Sequence, residues 1–205
     1  MQFDFYDIIT ILSAYLIGNI SPAIILGKIN GIDIKKEGSG NAGTTNALRV
    51  LGKKAAVITL VVDILKGVVA VKFGMMLGYE TGIWCALAVF CGHIWPCLYR
   101  FKGGKGVATA FGAILSVNWL LALTALAIVA CGLLISKRMS VGSLLGAATF
   151  PVACWFMEKD FIIVGCIMAA IVLIKHRANI VRLIKGEEPP MGIFKTKNRE
   201  DKQAE

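Results

Sequence analysis

Residues 92–109 read Gly-His-Ile-Trp-Pro-Cys-Leu-Tyr-Arg-Phe-Lys-Gly-Gly-Lys-Gly-Val-Ala-Thr, a basic, glycine-rich loop between two apolar runs. Ordering a glycine costs conformational entropy, so three glycines around Lys105 indicate a backbone that comes close to a ligand. Ammonium groups beside free amides suit phosphate. Lys105 is followed by glycine and not by Ser or Thr, so the loop is not an ATP-binding P-loop. If its cations only set topology, the glycines remain unexplained.

The runs on both sides of this loop belong to an integral membrane protein. Of the 205 residues, 57% are hydrophobic, and the mean hydropathy is +0.72. The net charge of +9 could suggest nucleic acid. However, the basic residues lie in short segments between apolar runs, where they set topology and meet anionic lipid. We therefore expect a membrane-lipid environment and no nucleic-acid partner.

The number of membrane spans depends on the apolar run over residues 107–136, which follows the glycine-rich loop. About 30 residues are too many for one ordinary span and few for two. A turn at residues 116–118 would place all four basic segments on one side of the membrane, which the positive-inside rule favours. We therefore predict two short helices in this run.

With that hairpin, the chain is predicted to be an all-α polytopic protein with about seven transmembrane helices. The N-terminus lies outside and the C-terminus in the cytoplasm, and several helices are short or partly re-entrant. A kink is expected at Pro22 and a C-cap at Gly186, and residues 195–205 are expected to form a flexible tail. The other predicted spans are residues 5–26, 55–77, a span from about residue 82, 141–157 and 161–174.

A second glycine-rich segment, residues 38–49, falls on the same membrane face. Its Gly-x-Gly-x-x-Gly pattern follows a membrane span and not a strand, so a dinucleotide fingerprint is rejected. A backbone nest remains, in which Arg49 supplies a bidentate cation for phosphate. An ordinary polar connecting loop is the alternative. The nest would include Gly38, Ser39, Gly40, Asn41, Gly43, Thr44, Thr45 and Asn46.

Five more polar residues are candidates at the same face. His176 and Asn179 are three apart on a predicted helix and so face one way. Ser140 and Ser143 have the same spacing, although serines in such positions often bond only backbone carbonyls. His93, at the end of a span, either contacts ligand or is a hydrogen-bonded core histidine.

Asp63 and Lys66 are ionisable groups inside a predicted span, at i,i+3 spacing. Intramembrane charges call for a functional hypothesis. We expect the two to form an ion pair away from the cytoplasmic loops, with a structural role.

Several kinds of catalytic site are missing from the sequence. The chain has no His-x4-Asp acyltransferase box, no zinc-ligand spacing, no Gly-x-Ser-x-Gly elbow and no carboxylate pair in the loops. The segments offer donors and cations without an obvious general base. This set fits a reaction in which the electrophile is already activated.

Residues 38–49, 92–109 and 176–188 resemble the three signature motifs of the bacterial membrane acyl-phosphate:glycerol-3-phosphate acyltransferases. The third reads His-Arg-Ala-Asn-Ile-Val-Arg-Leu-Ile-Lys-Gly-Glu-Glu. Ala178 is a departure, because the family usually has glutamate there. The resemblance covers the whole chain and implies one membrane acyltransferase domain, residues 1–205. It also implies a multi-pass protein of the bacterial inner membrane with a cytoplasmic active site.

The resemblance implies transfer of a fatty acyl group from acyl phosphate to the 1-hydroxyl of glycerol 3-phosphate, giving lysophosphatidic acid and phosphate. This is the first acylation of phospholipid synthesis. The implied catalytic residues are Ser39, Arg49, Lys105, Ser143, His176 and Asn179. Substrate binding is expected from Gly38, Gly40, Asn41, Thr45, Asn46, His93, Lys102, Gly103, Gly104, Gly106 and Ser140. No metal or other cofactor is implied.

The partners expected are the two small-molecule substrates, membrane lipid and the soluble enzyme that makes acyl phosphate. A transporter or channel for phosphorylated metabolites is the alternative from another class. It would explain the spans and cationic loops, but it predicts polar groups at mid-membrane on most spans and usually an internal repeat. Only Asp63 and Lys66 fit that prediction, and no repeat is seen.

Overall fold

The computed structural model describes residues 3–194, and every regular element within that range is helical. The predicted flexible tail, residues 195–205, lies outside the described residues. Ten α-helices follow one another within the described range: α1 (Phe5–Gly18), α2 (Pro22–Ile29), α3 (Thr44–Val50), α4 (Gly52–Met75), α5 (Tyr79–Ile94), α6 (Val107–Val117), α7 (Trp119–Ser136), α8 (Met139–Met157), α9 (Ile162–Lys175) and α10 (Arg177–Ile184). Short 3-10 turns occupy Cys97–Tyr99, Lys159–Phe161 and Gly192–Phe194.

Four helical segments are long and apolar enough to cross a membrane, or five if the bent pair α9–α10 counts as one. The four are Phe5–Ile29, Tyr79–Tyr99, Trp119–Ser136 and Met139–Met157. The first joins α1 and α2 across a break before Pro22, where a kink was predicted. The α4 helix is 24 residues long but carries charges, and α6 has only 11 residues, a rise of about 17 Å. The all-helical membrane architecture is therefore established, and the count of seven spans remains a proposal.

The predicted turn within residues 107–136 is present. Helix α6 ends at Val117 and α7 begins at Trp119. Between them, Asn118 Oδ1 accepts hydrogen bonds from the amides of Leu120 and Leu121, both at 3.0 Å. This side chain caps α7 and satisfies two of the amides that a helix start leaves free.

Glycines allow the helix pairs to approach closely. A Cβ on Gly92 would overlap Tyr15 O across α1 and α5, and one on Gly112 would overlap Ile64 O across α4 and α6. A Cβ on Gly142 would overlap Val129 O across α7 and α8. Small residues at such contacts are the usual basis of helix packing in membranes. These contacts pack α1 against α5, α4 against α6 and α7 against α8. A cavity lies between α6 and the α7–α8 pair.

Candidate active site

One cavity of about 680 Å³ joins the three glycine- or cation-rich segments to an apolar groove. Its polar end contains most of the predicted site residues: Gly38, Ser39, Asn41, Thr45, Asn46, Arg49, His93, Lys105, Gly106, Ser140, Ser143, His176 and Asn179. Its apolar wall comes from α6, α7, α8 and α9 and includes Phe111, Ile114, Leu126, Val129, Leu133, Ala147, Phe150 and Met168. Ser39 and Arg49 are exposed. The two histidines, Asn179 and the α8 serines, Ser140 and Ser143, are buried.

The segment of residues 38–49 is held in shape by Asn46. Asn46 Oδ1 accepts from Ser39 N at 2.9 Å, and its Nδ2 donates to Ile34 O at 3.1 Å and Glu37 O at 3.0 Å. Gly38 has φ +61°, and a Cβ there would overlap Asn46 Oδ1. Asn46 therefore shapes the segment, and because it also lines the cavity, its contact with substrate stays a prediction. Gly40 does not lie on the cavity.

The backbone amides of Gly103 and Gly104 in the central loop are bonded within the protein. Gly103 N donates to Ile94 O at 3.1 Å and Gly104 N to His93 O at 3.2 Å, so neither amide is free for a ligand. Neither glycine lines the cavity. A Cβ on Gly104 would overlap His93 Nε2 and lie 3.0 Å from Ala42 O. These glycines let the first two motifs and His93 pack together.

Lys102 does not lie on the cavity either, so its position does not support the predicted substrate contact. It follows Arg100 and Phe101, which have positive φ angles of 56° and 58°, and its side chain is exposed. Gly106, by contrast, lines the cavity with φ +83° and is the N-cap residue immediately before α6. The start of a helix presents free amides and a positive dipole end to the cavity.

Lys105 is a half-buried cation at the polar end of the cavity. Its Nζ donates to Asn179 Oδ1 and so joins the second motif to the third. Burial lowers the pKa of Lys105 to about 8, and the nearby Arg182 and Arg49 add to the effect, although Glu188 opposes it. A phosphate would remove this repulsion and restore full protonation.

The third motif turns at His176, where α9 and α10 meet at a bend of 53°. His176 Nδ1 lies 2.8 Å from Val172 O, which can only accept, so Nδ1 carries a hydrogen. In the neutral ring the cavity-lining imidazole therefore has a free acceptor at Nε2. Ser143 Oγ donates to Met139 O at 3.0 Å, which leaves its lone pairs as acceptors as well.

Glu188 is a site residue that sequence reasoning missed. The predicted cap at Gly186, which has φ +73°, turns the chain back, and Glu188 becomes buried on the cavity wall. Its carboxylate accepts from Asn179 Nδ2 and from Arg182 Nε, both at 2.6 Å. Sequence spacing on one helix could not show this contact, because Glu188 lies beyond the end of α10. Ala178, the departure from the family pattern, is exposed and does not line the cavity.

The membrane pair also differs from expectation. Lys66 Nζ lies 2.7 Å from Asp63 Oδ1, so the predicted ion pair is present. The prediction that this pair lies away from the loops is wrong, because Asp63 lines the cavity and Lys66 contacts His93. Residues far apart in sequence meet here because the end of α5 lies level with the middle of α4.

The arrangement suits an anionic substrate with an apolar tail. Arg49, Lys105 and the start of α6 bind phosphate well, and His176 and Ser143 accept hydrogen bonds. Despite burial, the hydrogen bonds from Asn179 and Arg182 hold the pKa of Glu188 below its usual value and so make this carboxylate a weak base. Within residues 3–194 no group of three or more His, Cys, Asp or Glu side chains is placed to hold a metal ion.

Comparison with known proteins agrees with this geometry. Residues 8–186 match the family model described as glycerol-3-phosphate acyltransferase. A glycerol-3-phosphate acyltransferase of Thermoanaerobacter pseudethanolicus is 45% identical over 91% of this chain and 96% of its own length. The one from Clostridioides difficile is 43% identical over 94% and 98%. The crystal structure of PlsY (YgiH), an integral membrane glycerol 3-phosphate acyltransferase in its glycerol 3-phosphate form, superposes with a TM-score of 0.87 at 30% identity, covering 93% of this chain and 100% of that one.

Proposed function

The chain belongs to the glycerol-3-phosphate acyltransferase family, and we propose that its cavity transfers a fatty acyl group from acyl phosphate to the 1-hydroxyl of glycerol 3-phosphate. The products are lysophosphatidic acid and inorganic phosphate. The observation that carries the proposal is a single cavity in which a cationic end continues into an apolar groove. Relatives crystallised in glycerol 3-phosphate and lysophosphatidic acid forms support the substrate and the product.

The polar end aligns the two reactants. Arg49, Lys105 and the start of α6 hold phosphate groups, while the acyl chain lies in the groove. The 1-hydroxyl oxygen forms a bond to the acyl carbon, and the bond from that carbon to the phosphate oxygen breaks. Acyl phosphate is a mixed anhydride with a good leaving group, so alignment and stabilisation of the oxyanion account for the catalysis.

The hydroxyl proton passes to an oxygen of the departing phosphate. His176 Nε2 and Ser143 Oγ are acceptors on the cavity wall, and they orient the hydroxyl before it attacks. Asn179 fixes the position of Lys105. No acyl-enzyme is formed, because the donor is already activated.

We also propose where the protein lies in the cell and which enzyme supplies its donor. The protein is placed in the bacterial inner membrane with seven spans, its N-terminus outside, and its site and C-terminus at the cytoplasmic face. This placement lets glycerol 3-phosphate enter from water and the acyl chain from the bilayer. The soluble enzyme that makes acyl phosphate is the partner that supplies the donor.

Phosphate release by the purified protein in detergent tests the reaction. Release that requires both acyl phosphate and glycerol 3-phosphate, with lysophosphatidic acid formed in equal amount, is expected. No release with both substrates, together with uptake of glycerol 3-phosphate into protein-containing vesicles, would instead identify a transporter.

The groove predicts a dependence on acyl-chain length. The KM for acyl phosphate should fall as the chain lengthens, because each buried methylene contributes up to about 0.8 kcal/mol, and then level off when the groove is full. Ala147 is buried on the groove wall and its neighbour Ala148 is exposed. Ala147→Leu should shift the preference to shorter chains, and Ala148→Leu should not. A KM independent of chain length would argue against the groove.

The pKa of Lys105 predicts a fall in activity at alkaline pH. Phosphate binds the protonated amine, so kcat/KM for glycerol 3-phosphate should fall as pH rises through about 8, because this ratio reports the free enzyme. Bound phosphate raises the pKa of Lys105, so kcat should hold to higher pH. Lys105→Arg keeps its charge and should shift the fall upward by at least one pH unit. An unchanged profile in that variant would mean that another group titrates.

A further inference from the structure

Asp63, Lys66 and His93 form a buried cluster behind the glycine-rich loop. Their exposed fractions are 1%, 4% and 5%. Two of them lie in α4 and one near the end of α5, about 30 residues further along the chain. Nothing in the proposed mechanism uses the ion pair, although Asp63 and His93 both lie on the cavity.

The contacts of Lys66 determine which nitrogen of His93 carries hydrogen. Lys66 Nζ lies 2.7 Å from Asp63 Oδ1, 2.6 Å from Ile20 O and 2.8 Å from His93 Nδ1. The contacts with Ile20 O and His93 Nδ1 have hydrogen-bond geometry, whereas the close contact with Asp63 Oδ1 is an ion pair. An ammonium group has only donors and no acceptor. The Nδ1 atom must therefore accept, so the hydrogen of the neutral ring is on Nε2.

Asp63 Oδ1 lies 3.2 Å from the same Nδ1 and offers the other arrangement, in which Nδ1 donates to the carboxylate. That arrangement would leave an N–H group pointing at an ammonium 2.8 Å away. The shorter contact and the absence of any acceptor on an ammonium group both favour Lys66 as the partner. Asp63 then serves to keep Lys66 charged and in place.

The far side of the imidazole lies beside the polar end of the cavity. Nε2 lies against Gly104, the residue before Lys105, where any Cβ would overlap it. Among the described residues, the hydrogen bonds of the His93 ring involve Nδ1 alone. Because His93 itself lines the cavity, a donor at Nε2 would lie beside the region where Lys105 holds a phosphate, and it would complement the acceptor at Nε2 of His176.

We propose that Asp63 and Lys66 are positioning residues that hold His93 with its hydrogen on Nε2, so that His93 donates a hydrogen bond to a substrate phosphate oxygen. The inference rests on the proposed function, because the acceptor is a substrate oxygen. The ion pair acts only through His93. It also fixes His93 to the break between α1 and α2, through the carbonyl of Ile20.

Nitrogen NMR of the full chain labelled with 15N-histidine tests the hydrogen placement without any substrate. The sequence has two histidines, and His176→Asn assigns their signals. His93 should carry its hydrogen on Nε2 and His176 on Nδ1. A hydrogen on Nδ1 of His93 overturns the inference, whatever reaction the protein performs.

Kinetics test the consequence for the reaction. Asp63→Leu combined with Lys66→Met removes both charges, and replacing a buried pair by apolar residues usually preserves folding. We expect the thermal midpoint to stay within a few degrees and kcat/KM to fall about tenfold, the worth of one hydrogen bond to a charged group. Lys72→Met, at an exposed position of the same helix, is the control and should match wild type. A folded double variant with wild-type kcat/KM would contradict the role, and an inactive wild type would instead remove the proposed function.

Discussion

Replacing Lys105 by methionine should lower kcat/KM for glycerol 3-phosphate by about 10² to 10³-fold, the cost of removing one preorganised group that stabilises developing charge. Methionine keeps much of the apolar stem and removes the ammonium that joins the second motif to Asn179. Both ground-state phosphate and the oxyanion lose a partner, so KM should rise and kcat should fall. The measurement is phosphate release with each substrate varied in turn.

Lys102→Met is the matched control for this variant. Lys102 lies three residues away in the same loop, but its side chain is exposed and off the cavity. Its loss should change kcat/KM by less than about twofold, the range expected for an exposed charge. Equal losses from both lysines would mean that the loop acts through its overall charge. Wild-type turnover in Lys105→Met and in Arg49→Ala would place the phosphate site elsewhere.

The charge pattern predicted the element that creates the cavity. The turn at residues 116–118 came from counting cations on each side of the membrane, and Asn118 indeed separates α6 from α7. Lys105, His176 and Asn179 were predicted from glycine placement, helical spacing and family resemblance, and the fold brings all three onto one cavity. These features could be predicted because each depends on a pattern within one short stretch.

The predictions that the structure does not support depend on which partner each group takes in the folded chain. The amides of Gly103 and Gly104 were expected to face a ligand, but carbonyls at the end of α5 accept from them. Asn46 was expected to contact substrate, but it bonds the backbone of its own segment. The contact of Lys66 with His93 could be predicted only if the relative depth of α4 and α5 in the bundle were known. Sequence shows which groups can form hydrogen bonds, and only the packing shows which partner each one takes.

Glu188→Gln should lower both stability and activity, which makes Glu188 the strongest test of the part of the site that the sequence did not reveal. The carboxylate accepts from Asn179 Nδ2 and Arg182 Nε. A glutamine has one acceptor oxygen and turns an amide donor toward one of these partners. Hydrogen bonds to charged groups contribute about 1.5 to 3 kcal/mol each, so the thermal midpoint should fall by about 5 °C. Asn179 would lose its orientation toward Lys105, and kcat/KM should fall about 10²-fold.

Glu187→Gln is the matched control, because Glu187 is exposed and its neighbour Glu188 is buried.

Burial alone would raise the pKa of Glu188, but the hydrogen bonds from Asn179 and Arg182 outweigh it and hold that pKa below the usual 4.5. A lowered pKa in the folded state means that the carboxylate stabilises the fold above about pH 4.5 and loses this effect as pH falls through the folded value. The difference in thermal midpoint between wild type and Glu188→Gln should therefore be full at pH 7 and shrink in acid. If the charge of Glu188 is what matters, protonating it in acid should bring the thermal midpoint of wild type down to that of Glu188→Gln. A difference in thermal midpoint that stays constant below the folded pKa would show instead that the glutamine acts through its shape.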